Sequence, residues 1–244
     1  AGDIDIYGAE WSPDSREILS QGENITGLEG DIVYWIIHLE KGESHQLDFD
    51  VNVNGKLLPF EVSPDQKHLA FSVAREDGNK DLYIVPISVE EARTTGPARL
   101  IFEGSTVGAF NVDFSWSEDG SRVALIHNNE IWIISVYGGN PEQITDNREG
   151  KSWIRWSPNG EMVSFYTDYT GDRTKRTLNV IPASGGNSIK VFENCVTSAW
   201  SPDSKVLSVY AGGKIYIMSV DGSDIKQVLD QSDHGLIDLS SAQW

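Results

Sequence analysis

One six-residue phrase is written five times along this chain. "EWSPDS" occupies Glu10–Ser15, "EVSPDQ" Glu61–Gln66, "SWSEDG" Ser115–Gly120, "RWSPNG" Arg155–Gly160 and "AWSPDS" Ala199–Ser204. Proline holds φ at about −65°, and Asp or Asn followed by Ser or Gly suits a sharp reversal. Each copy therefore reads as a turn between two strands. The markers Trp11, Val62, Trp116, Trp156 and Trp200, with Trp244 at the end, recur at intervals of 40 to 54 residues. A strand-built period of that length marks the blades of a propeller.

Each unit supports that reading. After the hexamer comes an apolar run such as "SRVALIH" or "EMVSFYT", then a polar break, then a second run such as "EIWIISVYG" or "KIYIMSVDG", then a turn and a shorter third run. Ile, Val, Tyr and Phe bounded by turn residues are strand signals. With the strand that carries the Trp, each unit has four. The expected fold is all-β, a propeller of four-stranded antiparallel blades in a single domain. The blades span residues 3–50, 51–104, 105–147, 148–193 and 194–231, with an extra inner strand at 236–244. One helical turn is expected in "SVEEARTTG" at Ser88–Gly96. The Trp before each turn is expected to plug the gap between neighbouring blades. The turn acids Asp14, Asp65, Asp119 and Asp203 are expected to shape turns rather than do chemistry. The chain opens with "GDIDIYGAEW" and closes with "GLIDLSSAQW", so it starts and stops at the same repeat phase. Five blades closing a ring, or a six-bladed ring cut short, both fit.

The Trp-Ser-Pro-Asp turn, its apolar strand and the later strand with an Asp-Gly turn resemble the TolB-like propeller repeat. The best copy is "SAWSPDSKVLSVYAGGKIYIMSVDGSDIKQV" at Ser198–Val228. The resemblance covers nearly the whole chain. It implies the propeller fold and leaves function open. Similar repeats occur in periplasmic assembly factors, in front of serine peptidases, in polysaccharide lyases and in surface proteins. A periplasmic, secreted or cell-surface location is the expectation that goes with it.

Charge narrows the partners. Asp and Glu number 37 against 19 Lys and Arg, a formal net charge of −18. A surface this acidic repels phosphate backbones, which argues against nucleic acid. No stretch of 18 apolar residues offers a membrane-spanning helix, and the first ten residues lack the basic and apolar regions of a leader. Cys195 is the only cysteine, so no internal disulfide forms, and it reads as a small buried hydrophobe. The sequence leaves the oligomeric state open.

Binding residues are sought on the face that carries the blade-to-blade connections and the loops between second and third strands, where the sequence varies most. Arg148 and Lys151, then Arg173, Lys175 and Arg176, gather near Trp153, Tyr166 and Tyr169. A cationic, aromatic patch on an acidic chain suits a carboxylate-bearing glycan or an acidic protein segment. The candidate ligand-binding residues are Trp153, Arg155, Arg173, Arg176, His127 and His234. "DVNVNGKLLPFE" at Asp50–Glu61 fits a calcium-loop pattern, with Asp50, Asn52, Asn54 and Glu61 as oxygen ligands for Ca2+. The same letters also fit a plain strand with an Asn-Gly turn.

The chain carries no nucleophile elbow, no paired-histidine zinc motif and no phosphate loop. The leading expectation is a non-catalytic module that binds a protein segment or a glycan. The alternatives are a metal-assisted polysaccharide lyase or hydrolase using His127 and His234, and the propeller part of a larger peptidase or surface protein.

Overall fold

The computed structural model describes residues 4–12, 15–24, 32–49, 51–54, 56–105, 114–167, 172–230 and 232. The fold is all-β. In four of the five sheets the strands run in chain order from one edge to the other, and every pairing between named strands is antiparallel. Among the described residues, no helix is long and apolar enough to cross a membrane. The chain forms two compact units, residues 1–112 and 113–244.

The first unit holds two sheets. Blade 1 comprises β1 (Ile4–Trp11), β2 (Glu17–Asn24), β3 (Ile32–His38) and β4 (Glu43–Gln46). Blade 2 comprises β5 (Lys56–Val62), β6 (His68–Ala74) and β7 (Lys80–Ser88), and then differs from expectation. Residues 88–96 form no helical turn. Ala92, at φ 50°, closes a turn onto Val89, and β8 (Arg93–Thr94) folds back to pair with the end of β7. The β-branched Thr94 and Thr95 favour the strand. β9 (Arg99–Ser105) then pairs with the earlier part of β7, making five strands. The two sheets share a core of Leu19, Tyr34, Ile36, Leu69, Phe71 and Val85.

The second unit holds three sheets. Blade 3 is β10 (Phe114–Trp116), β11 (Arg122–His127), β12 (Glu130–Ser135) and β13 (Glu142–Gln143). Blade 4 is β14 (Ser152–Trp156), β15 (Met162–Thr167), β16 (Arg176–Pro182) and β17 (Ile189–Cys195), with a 3-10 turn at Arg173–Lys175. Blade 5 is β18 (Thr197–Trp200), β19 (Val206–Ala211), β20 (Lys214–Ser219) and β21 (Lys226–Asp230). The second strands β11 and β15 are buried on both faces, which is why their sequences are nearly continuous apolar runs. β19 alternates instead, so one of its faces is less covered. Residues 236–244, the expected extra strand, lie outside the described residues.

The hexamers of blades 2 to 5 build the same turn. Ser117 Oγ donates to Asp119 Oδ1 and accepts the Arg122 amide, while Asp119 accepts the Ser121 amide. Ser63 with Asp65, Ser157 with Asn159 and Ser201 with Asp203 repeat the pattern. The sixth residue takes a left-handed backbone in every copy: Ser15, Gln66, Gly120, Gly160 and Ser204. That is the conformational reason for Gly in two of them.

The indoles of blades 3 to 5 are buried, as expected, and that of blade 1 is not. Trp116, Trp156 and Trp200 are buried. Trp156 Nε1 donates to Ser115 O of blade 3 at 2.9 Å, with the Arg122 guanidinium 4.6 Å from its ring. Trp200 Nε1 donates to Ser164 Oγ of blade 4 at 3.0 Å. Trp156 and Trp200 thus each seal the seam with the blade before them. Trp11 is 64% exposed.

Candidate functional site

The first strand of blade 4, β14, and the start of its third strand, β16, bring Trp153, Arg155 and Arg176 together. β14 leaves its regular pairing with β15 between Ser152 and Arg155, and Trp153 takes φ 57°. That bulge leaves Trp153 half-buried beside the start of β16. The Arg176 guanidinium lies 5.5 Å from the Trp153 ring centre and 5.4 Å from that of Tyr166. Arg176 is only 2% exposed, so it joins two aromatic rings rather than meeting solvent. Tyr166 is pinned in turn, its hydroxyl 2.8 Å from Ser198 Oγ of blade 5. Burial pushes the Tyr166 phenol up to about 12. Arg155 is the exposed cation of the group: its guanidinium lies 6.0 Å from the Trp153 ring and its Nη1 donates to Ile154 O. The result is a rigid aromatic platform with a cation at its rim.

The remaining candidates fall elsewhere. Arg173 opens the 3-10 turn that Asp172 caps by accepting the Thr174 amide. His234 and Asp50 lie outside the described residues. Asn52 and Asn54 are exposed, and Glu61 sits in β5 opposite Ala70. Among the described residues no group of three His, Cys, Asp or Glu side chains is arranged to hold a metal ion. Cys195 is buried, and burial pushes its thiol up to about 11, so it carries no thiolate at neutral pH.

Lys151 does not join the cationic patch. Its side chain is fully buried, and Nζ lies 3.1 Å from Glu130 Oε2, 2.7 Å from Asn129 O, 2.6 Å from Asn147 Oδ1 and 3.0 Å from Glu149 O. Glu130 also accepts from Thr145 Oγ1 at 2.5 Å and from the Arg148 amide. Burial pushes the Glu130 carboxyl upward, but the bonds from Thr145, Arg148 and Lys151 outweigh it and hold it below the usual range. This cluster clamps the β11–β12 hairpin to the connection into blade 4. The hairpin itself is a two-residue turn in which Asn128 (φ 51°) and Asn129 (φ 63°) are both left-handed, as Asn permits. Sequence reading missed Glu130 because a lone Glu after an Asn-Asn turn carries no signal of its partner 21 residues on. His127 stands at the other end of that turn, on a cavity of about 570 Å3.

No family model matches the chain. A Bacillus subtilis (strain 168) protein named as an uncharacterized peptidase, YuxL, is 25% identical over 191 residues, covering 72% of this chain and 26% of YuxL. The uncharacterized protein YidR of Escherichia coli (strain K12) is 26% identical over 129 residues, covering 47% of this chain and 29% of YidR. The chain thus spans less than a third of the length of these relatives. TolB from Acinetobacter baumannii superposes with a TM-score of 0.60 at 15% identity, over 90% of this chain and 53% of that one. A structure described as TolB from Agrobacterium tumefaciens gives 0.60 at 17%, over 91% and 79%. The chain has the TolB-like β-propeller fold.

Proposed function

We propose that this chain is a non-catalytic recognition module that docks an acidic segment of another protein on the Trp153–Arg155 platform. The observation that carries the reading is the stacking of half-buried Trp153 on Arg176, itself fixed against Tyr166, with Arg155 exposed at the rim. A ring held from beneath loses little freedom on binding, and an adjacent guanidinium offers a carboxylate two parallel hydrogen bonds. On a chain of net charge −18, such a cation is a local exception that selects where an acidic segment lands. The test is a peptide array followed by titration of the purified chain. Acidic peptides should bind, and Arg155→Ala should weaken them about tenfold. Binding should also weaken as salt rises. Uronate-bearing glycans form a second arm: binding there alone moves the reading to glycans. A folded protein that binds neither, or binds equally well without Arg155, overturns it.

A second reading has its own support. The similarity to YuxL, which is named as a peptidase, favours this propeller being the recognition part of a longer peptidase-like polypeptide. On that reading the platform meets a peptide substrate before cleavage elsewhere. Reading the open reading frame on both sides tests it: a hydrolase domain supports the idea, and its absence removes it.

A further inference from the structure

Apart from the platform, the β11–β12 hairpin and the connection after β13 border an open cavity of about 570 Å3, lined wholly by residues of the second unit. That size lies within the range of small-molecule pockets. Its lining includes His127, Asn128, Trp132, Gln143, Asp146 and Arg148.

The charges of this lining nearly cancel. Glu130, which also borders the cavity, is matched by buried Lys151, and Asp146 and Arg148 bring one charge of each sign. Asn128 Nδ2 lies 2.8 Å from His127 Nε2, a contact suited to a neutral imidazole with its proton on Nδ1. Burial favours that neutral form by pushing the His127 pKa down. A phosphate-bearing ligand wants several cations, and this lining gives it one guanidinium beside two carboxylates.

The polar groups instead suit hydroxyls. Asn128 Nδ2 and Gln143 Nε2 already face His127 Nε2 and Thr145 O, which leaves their amide oxygens as acceptors beside the Asp146 carboxylate and the Arg148 donors. Together they supply donors and acceptors, and a hydroxyl needs both. The apolar element is Trp132, half-buried and opposite Gln143 across the β12–β13 pair. Its ring meets that of His127 edge to face, with centroids 6.2 Å apart. A fixed aromatic wall among planar hydrogen-bonding groups matches the two surfaces of a sugar ring, one of C–H bonds and one of hydroxyls.

We propose that this cavity is a saccharide-binding site for one or two sugar rings, with Trp132 against the C–H face and Gln143, Asp146 and Arg148 on the hydroxyls. It stands independently of the protein-docking reading above. The test is saturation-transfer NMR on the 244-residue chain. The panel holds methyl glycosides of glucose, galactose, mannose and N-acetylglucosamine, with maltose and cellobiose, and glycine and glutamate as controls. At least one saccharide should bind with a dissociation constant of about 0.1–5 mM. The double substitution Gln143→Ala with Asp146→Ala, at two exposed positions, should weaken it at least about tenfold while a cooperative unfolding transition is kept, lowered only by loss of the Gln143–Thr145 bond. Arg155→Ala should leave it untouched. In the unaltered protein, titration should shift the Trp132 indole resonance. Three outcomes overturn the site: no saccharide signal up to about 10 mM, a signal the double variant retains, or a Trp132 indole that stays still. Saturation of the amino acids in place of the sugars overturns it as well.

Discussion

Lys151 buries its ammonium 3.1 Å from a Glu130 carboxylate oxygen, joining the blade 3 hairpin to the first strand of blade 4. Removing one partner of such a pair strands the other charge away from water. Lys151→Met should cost about 3–5 kcal/mol in urea unfolding. Adding Glu130→Gln should recover part of that loss, and a double-mutant cycle measures the coupling. The carboxyl is held below its usual range, so its stabilisation is present above the unfolded-state pKa and is lost as pH falls through the folded one. Glu130→Gln should therefore flatten the acid limb of the stability curve.

The indoles differ by position. Trp156 and Trp200 are 7% and 9% exposed, whereas Trp11 is 64% exposed. Trp156→Ala and Trp200→Ala should each cost about 3–5 kcal/mol. Trp11→Ala should cost under about 1 kcal/mol. Chemical unfolding of the three variants checks the order, and equal losses would contradict the described burial.

The hexamer turns contain their own control. Blade 4 uses Asn159 where the others use Asp, and its Oδ1 accepts the same two bonds, from Ser157 Oγ and from the Glu161 amide. Asp119→Asn should thus change stability little at neutral pH, while Asp119→Ala should cost about 1 kcal/mol. The Ser117 and Ser121 bonds hold the Asp119 carboxyl below its usual value. The turn is therefore secure above about pH 4 and loosens as pH falls below it. Thermal melts between acidic and neutral pH separate the two substitutions.

The Cys195 thiol, buried and with its pKa raised to about 11, should resist alkylation in the native state. Its labelling rate should track the unfolded fraction as denaturant is added. Rapid labelling of native protein at neutral pH would be inconsistent with the burial described.

The repeat was legible because two local needs recur: a reversal with one left-handed residue in every hexamer, and a buried indole in blades 3 to 5. Both leave marks within six adjacent letters. The platform was partly legible, since Trp153, Arg155 and Arg176 stood out as cations and an aromatic near one another in sequence. That Arg176 would be buried between rings was not, because burial there depends on Tyr166 and on the bulge at Trp153. The Glu130–Lys151 clamp was invisible for a related reason: it joins two turns whose separation reflects loop geometry and no period. Strand β8 was read as helix because "SVEEAR" has helical residues, and the pairing edge offered by β7 overrode that preference.

The seams have a direction: Trp156 and Trp200 each reach back to the blade before them, and Ser204 Oγ accepts the Asn159 amide across the same junction. A module copied whole would carry both the reaching indole and the surface that receives the next one. Lengthening such an array by gene duplication would therefore need no new chemistry at the joins, only loops free to diverge.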